Sequence, residues 1–297
     1  MMTSSGLLLI DKPAGLTSHD VVARLRAVFN ERRIGHAGTL DPMATGLLII
    51  AVGTSTRLLR FAQAETKRYV GTVQLGVATD SLDADGAVTS TRPVPEVSLD
   101  ELNAVAQSMI GRQSQTPPMV SALKVKGRRL HEMARAGLEV ERSPREIVID
   151  AFAISPSDAR DQWDFDVACS TGTYVRVLLS DLAERVDTVG HLTALRRVSS
   201  GHHDVANAHT LDDVAALEDA TSVLAPPVQM VSGLETVQLD AERAAKIRLG
   251  QRVELDETFL SGEIAAVDSS GDLVGVLTRR GDLWKPEIVV SGAGGSS

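Results

Sequence analysis

The sequence predicts an α+β fold built on a central mixed, largely antiparallel sheet. Three observations lead there. Strand-like alternation and helix-like periodicity both occur, yet they do not follow one another in strict β-α-β order. Several helical segments open at side chains able to cap them. Near Ala225-Pro-Pro227 the texture changes to short strand-like runs, which marks a small β-rich C-terminal region. The chain has 297 residues, 43% of them apolar, enough for a large domain plus a small one. Aromatic residues make up only 3%, so the core must rest on Leu, Val, Ile and Ala.

Leu7 to Ile10 reads as a short buried strand. Ser18 is placed to cap a helix whose Val21, Val22, Leu25, Val28 and Phe29 share one face. A polar loop, Gly35-His-Ala-Gly-Thr-Leu-Asp-Pro42, leads to Gly46-Leu-Leu-Ile-Ile-Ala-Val52, which reads as a strand buried on both faces. Lys67 to Gly76 alternates, with Tyr69, Gly71, Val73 and Leu75 on one face. Ser98 and Glu101 form a capping box for a helix to about Ile110. Ile147 to Ile154 and Gln162 to Cys169 read as strands, and Thr173 as the cap of a helix over Tyr174 to Val186. In the C-terminal region a helix fits Asp240 to Leu249, stopped by Gly250, and Ser270-Gly271 signals a hairpin. The expected division is 1–228 for the main domain, 232–290 for the β-rich domain and 291–297 for a disordered tail.

The net charge of -9 argues against a generic nucleic-acid binder, but it conceals local structure. Lys124, Lys126, Arg128 and Arg129 crowd six positions, and Arg24, Arg26, Arg32 and Arg33 precede His36. Such clusters are most often solvated faces. One cysteine, Cys169, allows no intramolecular disulfide and no CxxC site, which fits a reducing cytoplasm. Its place in an alternating run reads as a small strand residue. No signal peptide and no membrane span are expected. None of the seven histidines has HExxH spacing or a DxD neighbour, and no GxxxxGK[ST] occurs, so neither a metal nor a nucleotide cofactor is expected.

Two segments could carry chemistry. The loop from Gly35 to Gly46 holds Asp41 between rigid elements, and Pro42 biases Asp41 toward extended backbone. On composition alone it reads as an Asp-Pro turn. In Ser170-Thr-Gly-Thr-Tyr-Val-Arg176 a helix begins with an arginine in its first turn, where the macrodipole disfavours a cation. Arg176 therefore calls for a specific partner, and a carboxylate such as Asp41 would suit: the cation would keep it ionised, as a nucleophile requires. Tyr69 and Tyr174 are the only tyrosines. Each reads either as packing or as a ring able to stack on a base.

Taken together these segments resemble a known family. Gly35-His-Ala-Gly-Thr-Leu-Asp-Pro-Met-Ala-Thr-Gly46 resembles the catalytic motif of the TruB-type tRNA pseudouridine synthases. Leu9-Ile-Asp-Lys-Pro-Ala-Gly-Leu-Thr-Ser18, Lys67-Arg-Tyr69, Ser170 to Arg176 and Leu195-Arg-Arg197 resemble its other blocks, in family order. The blocks span most of residues 6 to 200, and the C-terminal region is similar, more loosely, to a PUA domain. The resemblance implies the pseudouridine synthase fold and isomerisation of the uridine at position 55 in the T loop of tRNA, by base flipping and without a cofactor. It implies Asp41 as nucleophile, Arg176 as its ion partner and Tyr69 stacked on the target base. His36 would help displace the base, Tyr174 and Leu195 would line the pocket, and Lys12 would be mainly structural. The T stem-loop would be the partner of a cytoplasmic monomer. Apart from the resemblance, Gly127, Gly137 and the cluster of Lys124, Lys126, Arg128 and Arg129 suggest that the insert-like stretch Gln113 to Arg145 is a mobile element clamping RNA. Thr171 departs from the pattern, where a basic residue is common. Two rivals stand beside this reading: a non-catalytic tRNA-binding or tRNA-folding protein on the same scaffold, and a metal-dependent hydrolase or phosphotransferase with an aspartyl nucleophile. The first would not need Asp41, Tyr69 and Arg176 together, and the second would need further carboxylates near Asp41.

Overall fold

The computed structural model describes residues 5–63, 66–119, 124–125, 128–129, 140–256 and 258–290. The expected tail, 291–297, lies outside them. The chain folds into two compact units. The first comprises Met1–Pro42, Leu47–Ala64 and His202–Ser297, the second Met43–Gly46 and Glu65–Gly201.

In the first unit β1 (Gly6–Lys12) and β2 (Ile34–Ala37) both pair with β3 (Thr45–Val52). The apolar run of β3 is buried on both faces, as its composition predicts. Leu48, Ile50 and Val52 pack with Val21 and Leu25 of α1 (Ser18–Val28) and with Val214 of α4 (Leu211–Ala216). Ile49 and Ala51 point the other way, into a cluster with Met230, Ala265, Val276 and Ile288. Those last residues belong to the C-terminal part, where β14 (Glu235–Gln238), β15 (Glu263–Val267), β16 (Leu273–Arg280) and β17 (Leu283–Val289) form a four-stranded sheet. Only the β14–β15 pair is parallel. Its opposite face, with Ile264, Ala266, Val274 and Trp284, covers α5 (Ala241–Arg248). Grouping by contact therefore differs from a linear cut near 228–232, because this sheet shares a core cluster with β1 and β3.

The second unit is a sheet in the order β12 (Gly190–Ser200), β4 (Thr66–Leu75), β11 (Gln162–Ser170), β10 (Arg145–Pro156), β7 (Gly111–Gln115), with every pair antiparallel. Thr45 and Gly46 add beside Arg196 and Arg197 in parallel, which makes the sheet mixed. One face carries Tyr69, Val73, Leu75, Phe152, Phe165, Val167 and Leu195, all buried. α2 (Leu99–Ser108) is stitched to β10 by Asn103, whose Nδ2 donates to the Ile154 carbonyl and whose Oδ1 accepts from the Ile154 N–H, both at 2.9 Å. α3 (Val175–Arg185) buries Leu178, Leu179 and Leu182 completely. Gly71 has no alternative: a Cβ there would lie 2.0 Å from the Ala194 carbonyl oxygen, where β12 shifts register.

Several local expectations change. The cap of α1 is Thr17, which forms a capping box with Asp20, and Ser18 turns inward. Thr17 is one residue nearer the solvent, where both box partners can meet. At α3 the N-cap is Tyr174 rather than Thr173, with no side-chain cap. Its backbone is held instead by Gln115, whose Oε1 accepts from the Tyr174 N–H and whose Nε2 donates to the Tyr174 carbonyl. The start of the polar Gly35 loop is strand β2. The capping boxes at Ser98 and the cap at Asp240 form as read.

Candidate active site

In the first unit the structure fixes the backbone on either side of Asp41. The buried Ser18 Oγ accepts from the Leu40 N–H at 2.9 Å and donates to the Leu40 carbonyl at 3.2 Å. One hydroxyl thus satisfies both polar groups of a buried peptide residue. On the other side, the Pro42 carbonyl accepts from the Gly15 N–H at 2.8 Å and from Lys12 Nζ at 3.3 Å. Lys12 is fully buried and also donates to the carbonyls of Leu16 at 2.7 Å and Pro13 at 2.9 Å. The N-terminal motif is therefore a brace for the loop. Asp41 itself is half-buried. His36 lies on β2 opposite Ile50, its ring edge-on to His19 with centroids 5.5 Å apart.

In the second unit four expected residues lie on or beside the buried sheet face. Tyr69 sits at mid-sheet on β4, flanked by Val167 on β11 and Arg197 on β12. Leu195 pairs with Gly71, two residues along the same face, where the Ala194 carbonyl and the Phe165 ring close on the glycine. Tyr174 stands at the start of α3, its ring 4.5 Å below the Arg145 guanidinium. Arg176 is only 2% exposed. Its Nη1 lies 3.3 Å from the Asp83 carboxylate and donates to the Ser81 carbonyl at 2.5 Å. Asp83 is buried too: it accepts from Ser81 Oγ and from the Asp85 N–H, and its own carbonyl accepts from Thr79 Oγ1 at 2.7 Å. So the first-turn arginine has a buried carboxylate partner, as the helix-dipole argument requires. Asp83 was not singled out from the sequence, since it sits in an ordinary polar turn, Asp80 to Gly86.

Gly46 and Arg197 meet closely: a Cβ at Gly46 would lie 2.3 Å from the Arg197 carbonyl oxygen, and its φ is +97°. The motif glycine thus lets the strand lie against β12. Lys67 is buried, donates to Thr171 Oγ1 at 2.8 Å, and is pushed down to about 8 by burial and then by the nearby Arg197. Cys169 is a buried strand residue on β11, its thiol pushed up to about 11 chiefly by burial. Lys124 and Arg128–Arg129 lie on a two-stranded hairpin, β8 (Lys124–Val125) and β9 (Arg128–Arg129); Lys126 lies outside the described residues. Among the described residues no three His, Cys, Asp or Glu side chains gather to hold a metal ion, and no helix is long and apolar enough to cross a membrane.

Comparison with known proteins decides the family. The model of the TruB family pseudouridylate synthase N-terminal domain matches residues 26–175. A tRNA pseudouridine synthase B of Leifsonia xyli subsp. xyli is 43% identical over 295 residues, 94% of each chain. The chain belongs to the TruB family of pseudouridylate synthases. A second relative of that name, from Opitutus terrae, is 50% identical over 212 residues, covering 71% of this chain and 88% of that one. Among solved structures, a Cbf5-Nop10-Gar1 complex contains a chain with TM-score 0.74 and 23% identity, matched over 96% of this chain and 85% of that one. An archaeal box H/ACA Nop10-Cbf5 complex gives TM-score 0.70 at 22% identity, over 97% and 86%. The architecture is thus the pseudouridine synthase α+β fold with an added C-terminal strand sheet, as the TruB motifs imply. The matched span runs from within α1 to the first residue of α3. It contains the Asp41 loop, Tyr69 and Asp83, and stops just short of Arg176.

Proposed function

We propose that this protein converts a uridine of tRNA to pseudouridine, at position 55 in the T loop, with Asp41 as the nucleophile. The observation that carries the reading is the two-sided brace on the Asp41 loop, Ser18 on Leu40 and Lys12 with Gly15 on Pro42. A carboxylate that must meet one atom of a flipped nucleotide needs a fixed backbone, because misplacement by about 1 Å can cost about 100-fold in rate. Membership of the TruB family and the name of its relatives support the substrate.

The base leaves its stack at a cost of about a few kcal/mol. Tyr69 receives it face-on, Leu195 and Tyr174 line the pocket, and His36 takes up the vacated space in the loop. Arg176 serves Asp41 as ion partner. A guanidinium has five donors, enough for two carboxylates, and Asp83 fixes its orientation. The reaction breaks N1–C1′, turns the uracil and forms C5–C1′; the proton leaves C5 and N1 ends protonated. Product and substrate are isomers, so the balance asks for no co-reactant. The basic cluster of Lys124, Lys126, Arg128 and Arg129 grips the phosphate backbone. Residues 232–290 act as a PUA-like RNA-binding module, and the T stem-loop is bound by a cytoplasmic monomer.

The test is tritium release from unmodified tRNA labelled at C5 of uridine, with and without Asp41→Asn. Release by the wild type, abolished in the variant, is expected. Tight tRNA binding without release from the wild type would favour an RNA-binding role on this scaffold instead.

A further inference from the structure

Two buried or half-buried cations converge on one turn of the second unit. Lys67, at the start of β4, donates from Nζ to Thr171 Oγ1 at 2.8 Å. Arg145, at the start of β10, donates to the Gly172 carbonyl and covers the Tyr174 ring. Neither is ion-paired with a carboxylate among the described residues. Lys67 is only 7% exposed, and the nearest charge of consequence is a second cation, Arg197. Asp150, at this end of the sheet, accepts from Thr66 Oγ1 at 3.3 Å.

Burying an ammonium beside a guanidinium with only one hydroxyl acceptor is unfavourable for the protein by itself. A neutral residue of the same length would tie the strand more comfortably. An arriving anion would relieve this arrangement. Lys67 Nζ has three donors and one is used by Thr171; Arg145 Nε is a buried donor with no hydrogen-bond partner. The turn they hold leads directly into Tyr174 and Arg176, and Lys67 lies two residues from Tyr69 on the same face of β4. An anion bound here lies beside the base pocket.

We propose that Lys67 and Arg145 form a site for one backbone phosphate of the RNA substrate at the Ser170–Tyr174 turn. The site rests on the reading that this chain acts on RNA. The site is preformed and partly desolvated, so a single phosphate there is worth more than one met at an exposed surface. The basic group expected at Thr171 is absent, and the charge at the turn comes from β4 and β10 instead.

The experiment uses the full chain and an unmodified T-arm hairpin RNA in which each phosphate in turn is replaced by a neutral methylphosphonate. Binding is measured for wild type, Lys67→Met, Lys67→Arg and Arg145→Met across a KCl series. One position should weaken wild-type binding by about 10-fold and leave Lys67→Met unaffected. The slope of log K against log salt should shrink by about one for Lys67→Met. Lys67→Arg should keep the dependence on that one phosphate, which a role confined to tying the turn would not produce. Equal losses in wild type and Lys67→Met at every position would overturn the site, as would an unchanged salt slope. Binding is scored apart from turnover: a wild type that binds but does not isomerise would overturn the functional reading, while the phosphonate pattern still decides this one.

Discussion

Replacing Ser18 by alanine separates two roles that the sequence alone assigns to one position. Read as a helix cap, Ser18 would contribute about 1 kcal/mol to stability and nothing to the reaction. In the structure the capping is done by Thr17, and Ser18 bridges both polar groups of Leu40. Ser18→Ala removes two hydrogen bonds, each worth about 1 kcal/mol net. It also strands the N–H of a residue only 4% exposed, which raises the cost toward about 3 kcal/mol. The chemical step should fall as well, by about 10-fold or more, because the loop bearing Asp41 loses one of its two braces. Urea denaturation gives the first quantity, and single-turnover tritium release at saturating enzyme, well below the melting temperature, gives the second. Thr17→Ala is the matched control: about 1 kcal/mol lost, with the rate retained. A Ser18→Ala protein that reacts at the wild-type rate would refute the positioning argument, however unstable it proved. Equal stability losses in the two variants would refute the packing argument.

Two further outcomes follow from buried charge. Asp83→Asn takes one carboxylate from the buried Arg176 guanidinium, which should cost about 2 kcal/mol or more in denaturation experiments and lower the single-turnover rate; a rate unchanged in the folded variant would remove Asp83 from the site. Lys67 has a folded-state value near 8 against 10.5 for the free side chain, so below pH 8 both states hold the proton and the full cost of burial is present. Between pH 8 and 10.5 the folded protein sheds the proton first and stability from this group rises with pH. Lys67→Met should therefore be more stable than wild type at pH 7, by on the order of 2 kcal/mol, with the gap closing toward pH 10; a gap that stays constant would show that charge burial is not its cause.

How far the sequence could be read depended on whether the deciding interaction was local. The capping box at Ser98 and the two-faced burial of β3 depend on neighbours a few positions away, or on a run of one residue type. By contrast β7 is Gly-Arg-Gln-Ser-Gln, polar and without alternation, and is a strand only because the edge of β10 is there to pair with it. β12 interrupts its own pattern with register shifts at Leu192 and Arg197, so neither period emerges. The need of Arg176 for a partner was legible from the helix dipole. Asp83 was not, because its pairing spans more than ninety residues and its turn is chemically ordinary. Lys12 illustrates the same limit. The motif marks it as mainly structural, but the three carbonyls among which its ammonium is buried include one thirty residues away, which the sequence does not reveal.

The whole-chain charge of -9 misleads for a related reason: it counts charges without asking where they lie. Among the described residues, Lys12, Lys67, Arg176 and Arg197 are buried cations, and Asp83 is the one buried carboxylate. Among the described residues the excess of acid is therefore carried by exposed and half-buried positions. A cation held in protein acts on its neighbours several times more strongly than one in water, because the surroundings screen it less. Surface acids are screened within about 10 Å at moderate salt, so they do little to cancel an interior field at short range. An RNA approaching this protein meets modest repulsion at a distance and strong attraction on close contact. Association should therefore be slow for a nucleic-acid enzyme and slower still when salt is lowered, because the long-range repulsion is then less screened. Affinity, by contrast, should be concentrated in the few phosphates and the one flipped base that reach the interior.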